Sequence, residues 1–258
     1  MKIKFEKYES GGNDFVLIDN RNNIYDLDSD KVKKICNRNF GIGSDGLIFL
    51  KKSKIADFKM VYFNSDGQSS SLCGNGTRCL FSFSLSLGII KKIAKIETSE
   101  GIYIATISNR NLVSLKMKDI DDIFLFDNKA YLNSGSPHHV EMIEDLNKIS
   151  VKNMGSSIRF SSRYSPNGTN VNFFKKINDK KFEIRTYERG VEDETLSCGT
   201  GATAVAIAVH AMGLTNESEI IIQTKGGELI ISFETSETGY KNICLEGPTR
   251  FVFKGEYQ

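Results

Sequence analysis

The sequence has little of several residue types that would settle its class at once. Three histidines among 258 residues, and five cysteines with no C-x-x-C pair, leave too few ligands at the spacing a structural zinc site needs. No window approaches the roughly 20 continuous apolar residues of a membrane span. The opening Met1-Lys2-Ile3-Lys4-Phe5 alternates like a strand where a signal peptide would be apolar. Charge of one sign is also lacking, since 34 basic and 32 acidic residues leave a net charge of +2. The lysines come as scattered pairs (Lys51-Lys52, Lys91-Lys92, Lys175-Lys176, Lys180-Lys181), a pattern of solvated surface that argues against a nucleic-acid partner. These absences predict a cytoplasmic protein that engages neither membrane nor nucleic acid. An odd number of cysteines in a chain of this length fits thiols in a reducing compartment. With only three prolines and no Pro-rich or Gly/Ser-rich linker, any two halves are expected to pack closely.

What is present is apolar residue enough, 40% of the chain, to build one large core or two smaller ones. Alternation predicts strands over residues 1–9, 15–19, 47–50 and 56–64, with Ser10-Gly11-Gly12-Asn13-Asp14 as a turn between the first two. Residues 28–39 carry apolar side chains at helical spacing behind a Ser29 or Asp30 cap. The glycine-rich Phe40-Gly41-Ile42-Gly43-Ser44-Asp45-Gly46 lacks the Lys-Ser/Thr and the following helix of a phosphate loop, which argues against nucleotide binding. Residues 77–87 are apolar or small on every face, the mark of a helix wrapped by other structure, and Gly88 supplies a stop. Strands are expected over 93–117, and the acidic stretch 119–128 reads as a crossing between halves.

The second half repeats the theme. Strand, turn and strand are expected over 129–140, a helix over 145–160, and paired strands at 169–174 and 182–187. Residues 188–197 lead to an alanine-rich helix over 202–212, stopped by Gly213, and strands close the chain at 219–224, 229–233, 242–247 and 250–253.

The recurring device is a cysteine placed before a glycine-interrupted turn and a buried helix: Leu72-Cys73-Gly74-Asn75-Gly76, and again Ser197-Cys198-Gly199-Thr200-Gly201, about half a chain later. A helix start favours a thiolate, because free backbone N–H groups and the positive end of the dipole lower a thiol pKa that begins at about 8.5. The same amides bind an anion such as a carboxylate. Two such turns facing one another would hold one carboxylate and set a thiol on each side of the adjoining carbon. That arrangement suits stereoinversion, with one thiolate removing the α-proton and the opposite thiol returning a proton to the other face. Cys36, Cys79 and Cys244 lack this context and are read as packing residues.

Six strings in order resemble the successive motifs of the diaminopimelate epimerase family: Gly12-Asn13-Asp14-Phe15, Gly41-Ile42-Gly43-Ser44-Asp45-Gly46, Asn64-Ser65-Asp66-Gly67, Cys73-Gly74-Asn75-Gly76-Thr77-Arg78-Cys79, Tyr187-Glu188-Arg189-Gly190 and Cys198-Gly199-Thr200-Gly201-Ala202. The resemblance covers nearly the whole chain. It implies an α+β fold of two similar domains, each a curled antiparallel sheet around a central apolar helix, with the active site in the cleft between them. On this chain the domains would run over 1–118, joined by the last strand 249–258, and over 119–248.

The implied activity is cofactor-independent, two-base epimerisation of LL-2,6-diaminopimelate to the meso form, a step toward lysine and cell-wall precursors. By the match Cys73 and Cys198 are the acid/base pair, with His138 and Glu188 supporting catalysis. The amides of Gly74, Asn75, Gly199 and Thr200 would hold the reacting carboxylate. Asn64, Asn170 and Arg189 would meet the distal end, Glu188 would lie near an ammonium group, and Asn13 would reach toward the reacting centre. The partner implied is a small diamino dicarboxylic acid, no metal or cofactor is expected, and a homodimer is kept as an expectation.

Two departures stand out. Where the family usually reads Gly-Asn-Pro-His this chain has Gly135-Ser136-Pro137-His138, replacing a substrate-binding amide with a shorter hydroxyl. Residues 191–195 also form a segment one residue longer than usual and more acidic. His139 and His210 have no family match and read as surface or packing residues. A proline racemase-like enzyme would share the cysteine pair without needing Arg189 and three asparagines for a second charged end. A redox-switch protein would pair the two cysteines as a disulfide.

Overall fold

The strand Asn13–Asp19 is apolar along most of its length because both of its faces are covered, and this layering organises the first half of the protein. In the structure, a computed structural model that describes residues 2–69 and 73–258, the chain divides into two compact units. One comprises Met1–Leu115 with Gly247–Gln258, the other Lys116–Glu246. Met1 of the first expected strand and Leu72 of the first cysteine string lie outside the described residues.

In the first unit, Ile3–Ser10 and Asn13–Asp19 form a hairpin whose turn, Gly11 at φ 63° and Gly12 at φ 79°, uses the left-handed backbone that glycine tolerates. Ile3–Ser10 pairs on its other edge with the last strand, Arg250–Tyr257. Asn13–Asp19 runs parallel to Gly46–Lys51, which pairs antiparallel with Phe58–Asn64. Phe58–Asn64 then meets Ile93–Thr98 in parallel, and Gly101–Ile107 and Val113–Lys116 follow as antiparallel neighbours.

Helix α1, Ser29–Cys36, connects the first parallel pair and buries Val32, Ile35 and Cys36 against Val16, Ile18, Leu47 and Phe49. Its cap is Asp28, whose carboxylate accepts the Lys31 amide, and not the expected Ser29 or Asp30. Helix α2, Gly74–Ser86, connects the second parallel pair and packs against the opposite sheet face, where Phe15, Ile48 and Met60 crowd Gly76.

The second unit repeats this order of connections. Lys129–Asn133 pairs antiparallel with Pro137–Met142, which runs parallel to Asn170–Lys176 across helix α3, Val151–Arg159. Asn170–Lys176 pairs antiparallel with Lys181–Glu188, which runs parallel to Glu219–Thr224 across helix α4, Gly199–Ala211. Gly227–Ser236 and Gly239–Gly247 complete the meander. Helix α4 is apolar nearly all round, and only Thr200, His210 and Ala211 on it are partly exposed.

The sheet-dominated α+β class holds, and the sheet expected to be antiparallel in each unit contains two parallel pairs. A helix inserted between two neighbouring strands returns the chain in the same direction, so the pairs bridged by α1 to α4 are the parallel ones. Other expectations shift locally. The helix expected over 145–160 is a 3-10 turn, Leu146–Lys148, followed by α3, because the Ser150 hydroxyl accepts the Asn153 amide and starts a new helix. The acidic crossing contains a strand, Ile123–Phe126, paired with Lys129–Asn133. Residues 188–197 hold the short strand Asp193–Thr195, folded back on Lys181–Glu188.

Among the described residues no helix is long and apolar enough to cross a membrane.

Candidate active site

Both cysteines are helix caps, and the glycine-interrupted segment after each is the first turn of the helix itself. Helices α2 and α4 begin at Gly74 and Gly199, three residues earlier than their apolar pattern indicates, because small residues form that turn. Cys73 and Cys198 hold nearly the same extended backbone, φ −111° and ψ 113° against φ −123° and ψ 113°. The Gly76 amide points to the Cys73 sulfur at 3.4 Å and the Gly201 amide to the Cys198 sulfur at 3.4 Å. The first amides of a helix have no partner within it, so Gly74, Asn75, Gly199 and Thr200 present backbone donors next to each thiol.

In the first unit the Cys73 thiol donates to Asn13 Oδ1 at 3.8 Å. Asn13 is fixed by its own Nδ2, which donates to Asp45 Oδ2 at 3.0 Å. Asp45 and Asp14 share the fork of Arg38, each at 2.8 Å, and Asp14 also pairs with the buried Lys7 at 2.8 Å. Lys7 further donates to the Gly43 carbonyl. Burial pushes the Asp14 carboxyl upward, but hydrogen bonds from Arg38 and Lys7 outweigh it and hold the group at about 2. Thus the Gly12-Asn13-Asp14 turn and the Gly43-Ser44-Asp45 loop are one charged cradle behind Asn13. Asn64 ends its strand opposite Gly46, with its backbone tied to Gln68 and Gly67.

Arg78, one turn into α2, is fully buried and donates from Nη2 to Asn75 Oδ1 at 2.6 Å and Ser10 Oγ at 2.9 Å. Burial lowers its pKa.

In the second unit Thr200 Oγ1 lies 3.5 Å from the Cys198 sulfur, 2.9 Å from His138 Nε2 and 3.3 Å from Ser136 Oγ. Ser136 Oγ is 3.0 Å from His138 Nε2 and accepts Asn170 Nδ2 at 3.1 Å. Asn170 Oδ1 accepts the Arg189 backbone amide at 2.9 Å. Ser136, His138, Asn170, Arg189 and Thr200 therefore form one connected group around Cys198. His138 is fully buried, and burial followed by the nearby Arg189 charge drives its pKa down to about 3, so the ring is neutral.

Glu188 ends the neighbouring strand opposite Asp193, and burial raises its carboxyl while the Thr195 hydroxyl pulls it back. The Arg189 guanidinium donates to the Asn167 carbonyl at 3.1 Å and faces an open cavity of about 790 Å³ shared with Arg163, Tyr131 and Tyr164.

The long acidic segment has a structural use. Glu192, at φ 58°, accepts the Tyr187 hydroxyl at 2.9 Å and the Gly190 amide at 2.9 Å and pairs with Arg159 at 3.2 Å, which holds the turn carrying Arg189. Glu194 takes the Arg185 fork at 2.7 Å.

His139 and His210 are packing residues, the first hydrogen-bonded to Tyr164 and Glu141, the second to Tyr240. Among the residues of this surrounding not read from the sequence are Lys7, Arg38 and Asp45 of the cradle, Arg78, and the buried pair Asn172 and Thr186, hydrogen-bonded to each other at 3.0 Å. For Asn172 a signal existed, because it shares a strand face with Asn170 inside an otherwise apolar run. Among the described residues no group of three His, Cys, Asp or Glu side chains could hold a metal ion.

The fold recurs in solved structures of low sequence identity. A phenazine biosynthesis protein of the PhzF family from Bacillus anthracis superposes with a TM-score of 0.78 at 16% identity, covering 100% of this chain and 99% of that one. A probable proline racemase from Agrobacterium radiobacter does so at 0.68 and 13%, covering 99% of this chain and 93% of the other. Among proteins of this fold the sequence decides the family. The diaminopimelate epimerase family model matches residues 5–120 and 130–252. The diaminopimelate epimerase of Flavobacterium psychrophilum is 48% identical over 98% of this chain and 99% of its own length. That of Aquifex aeolicus is 36% identical over 98% and 97%. The chain belongs to the diaminopimelate epimerase family.

Proposed function

We propose that this protein is an isomerase that converts LL-2,6-diaminopimelate to the meso form with no cofactor, using Cys73 and Cys198 as its acid/base pair. The observation that carries the reading is the recurrence, in a member of this family, of a cysteine cap whose sulfur receives the third amide of a buried helix.

One thiolate takes the α-proton, and the electron pair left on carbon delocalises into the carboxylate. The amides of Gly74, Asn75, Gly199 and Thr200 offset the charge that develops there. The other thiol then gives its proton to the opposite face, leaving the two sulfurs with their protonation exchanged. Asn13 is braced to reach toward the reacting centre. Asn64, Asn170 and the guanidinium of Arg189 serve the distal carboxylate and ammonium, with Glu188 as the anionic partner of an ammonium group. His138 acts through Thr200 and does not itself take the substrate proton.

The reading places the protein in the cytoplasm, in the supply of lysine and cell-wall precursors, and carries the expectation of a homodimer, which sedimentation checks. The activity is tested by offering LL-diaminopimelate, L-proline and L-glutamate separately under reducing conditions. Inversion of diaminopimelate alone is expected. Activity confined to proline would replace the reading with a proline racemase, and inactivity on all three amino acids would return the two cysteines to a redox role.

A further inference from the structure

Asn172 is fully buried and is held so that its amide cannot turn over. Its Nδ2 donates to the His139 carbonyl at 3.1 Å, and a carbonyl can only accept, so nitrogen must be the atom there. Its Oδ1 accepts the Thr186 hydroxyl at 3.0 Å. The same Nδ2 lies 3.0 Å from His138 Nδ1. An amide nitrogen can only donate, so Nδ1 must carry the lone pair and the proton of the neutral ring must sit on Nε2.

The consequence runs to the sulfur. His138 Nε2–H points at Thr200 Oγ1, 2.9 Å away, and at Ser136 Oγ, 3.0 Å away. Ser136 already accepts Asn170 Nδ2, so its own hydroxyl proton is available to Thr200 Oγ1 at 3.3 Å. With its oxygen facing these donors, Thr200 has its hydroxyl proton left for the Cys198 sulfur at 3.5 Å. The Gly201 amide aims a second donor at the same atom. The opposite ring tautomer would set two N–H groups against each other at Asn172 and leave Nε2 to draw the Thr200 proton away from sulfur.

We propose that Asn172 is a positioning residue that locks His138 as the Nε2–H tautomer, so that Thr200 offers its proton to Cys198 and favours the thiolate there. This rests on the reading of Cys198 as an acid/base group, while the tautomer itself can be observed without any substrate. A buried asparagine that merely bridged strands would leave the ring tautomer and the sulfur unaffected by an isosteric change.

The test combines the full-length protein labelled with ¹⁵N-histidine and ¹³Cβ-cysteine with the variants Asn172→Asp, Thr200→Val and Thr200→Ser. In the wild type the His138 signals should report a protonated Nε2 and an unprotonated Nδ1. Asn172→Asp gives Nδ1 an acceptor, so the proton should move to Nδ1 and the Cys198 Cβ signal, at one fixed pH, should move toward its thiol position. On diaminopimelate kcat should fall about tenfold or more with KM little changed, as loss of a hydrogen bond to a charged group implies. Thr200→Val should move Cys198 toward thiol while His138 keeps its tautomer, and Thr200→Ser should restore the wild-type sulfur signal. These two variants keep the test valid if Asn172→Asp misfolds. A wild-type His138 protonated at Nδ1, or a Cys198 signal unmoved by Thr200→Val, overturns the proposal. Failure of the wild type to epimerise diaminopimelate would instead count against the proposed function, with the two spectroscopic readouts standing on their own.

Discussion

The Gly201 amide donates to the Cys198 sulfur at 3.4 Å, and a Cβ on Gly201 would collide with Asn172 Oδ1. Helix, sulfur and asparagine are thus locked by the absence of a side chain at one position. Gly201→Ala is expected to displace the Asn172 amide at an overpacking cost of about 1–3 kcal/mol and to lower kcat at least about tenfold. Gly76→Ala should cost less activity, because its closest obstacle at 2.8 Å is the end of the Ile48 side chain. Urea denaturation and steady-state kinetics on both variants check this, and equal effects would contradict it.

Among the described residues Arg78 makes no ion pair, and its buried Nε and Nη1 atoms have no hydrogen-bond partner. Its hydrogen bonds go to Asn75 and Ser10. Replacing a buried cation by an apolar residue of similar length removes a desolvation cost. Arg78→Met is therefore expected to leave the melting temperature unchanged or raised, yet to weaken substrate binding several-fold because the Asn75 amide is no longer held. A markedly lowered melting temperature with unaltered KM would show that the guanidinium is simply structural.

Much of this surrounding could be read from the sequence, for reasons that differ by residue. The cysteine strings are legible because Cys-Gly-x-Gly before an apolar run is local, and the strands because alternation is local. The start of α2 at Gly74 was hidden by glycines, which carry no helical pattern. The cradle of Lys7, Asp14, Arg38 and Asp45 depends on four segments meeting, and no residue in it announces its partners. The parallel pairs were missed because strand patterns show which residues are buried without showing the direction in which the chain returns.

Asp14 should contribute to acid stability. Its folded pKa of about 2 lies below the unfolded carboxyl value, so its contribution is complete above about pH 4 and is lost as pH falls toward 2. Solvent screens the outer side of the pair, which limits the contribution to about 1 kcal/mol. Asp14→Asn should therefore be less stable than wild type at neutral pH by about that amount, with the gap closing below about pH 3. Urea midpoints at pH 7 and pH 3 measure it. A gap that widens with acid would contradict the assigned direction.

His138 works in a higher window. Its folded pKa of about 3 is depressed from an unfolded value of about 6.5, so the unfolded chain binds the extra proton first. Stability is complete above about pH 6.5 and falls by up to about 1.4 kcal/mol per pH unit below it. His138→Gln should flatten that slope. A histidine signal from His138 that titrates near pH 6.5 in the folded protein would refute the neutral-ring account.

The central claim is that two thiols move one proton on and one proton off the same carbon. The most direct test is incubation of LL-diaminopimelate with the reduced protein in deuterium oxide, reading stereochemistry and deuterium content of the product together. The account predicts a meso product carrying one deuterium at the inverted carbon. It also predicts loss of inversion by at least about a thousandfold in both Cys73→Ala and Cys198→Ala. Inversion that continues at the wild-type rate in either variant would contradict it.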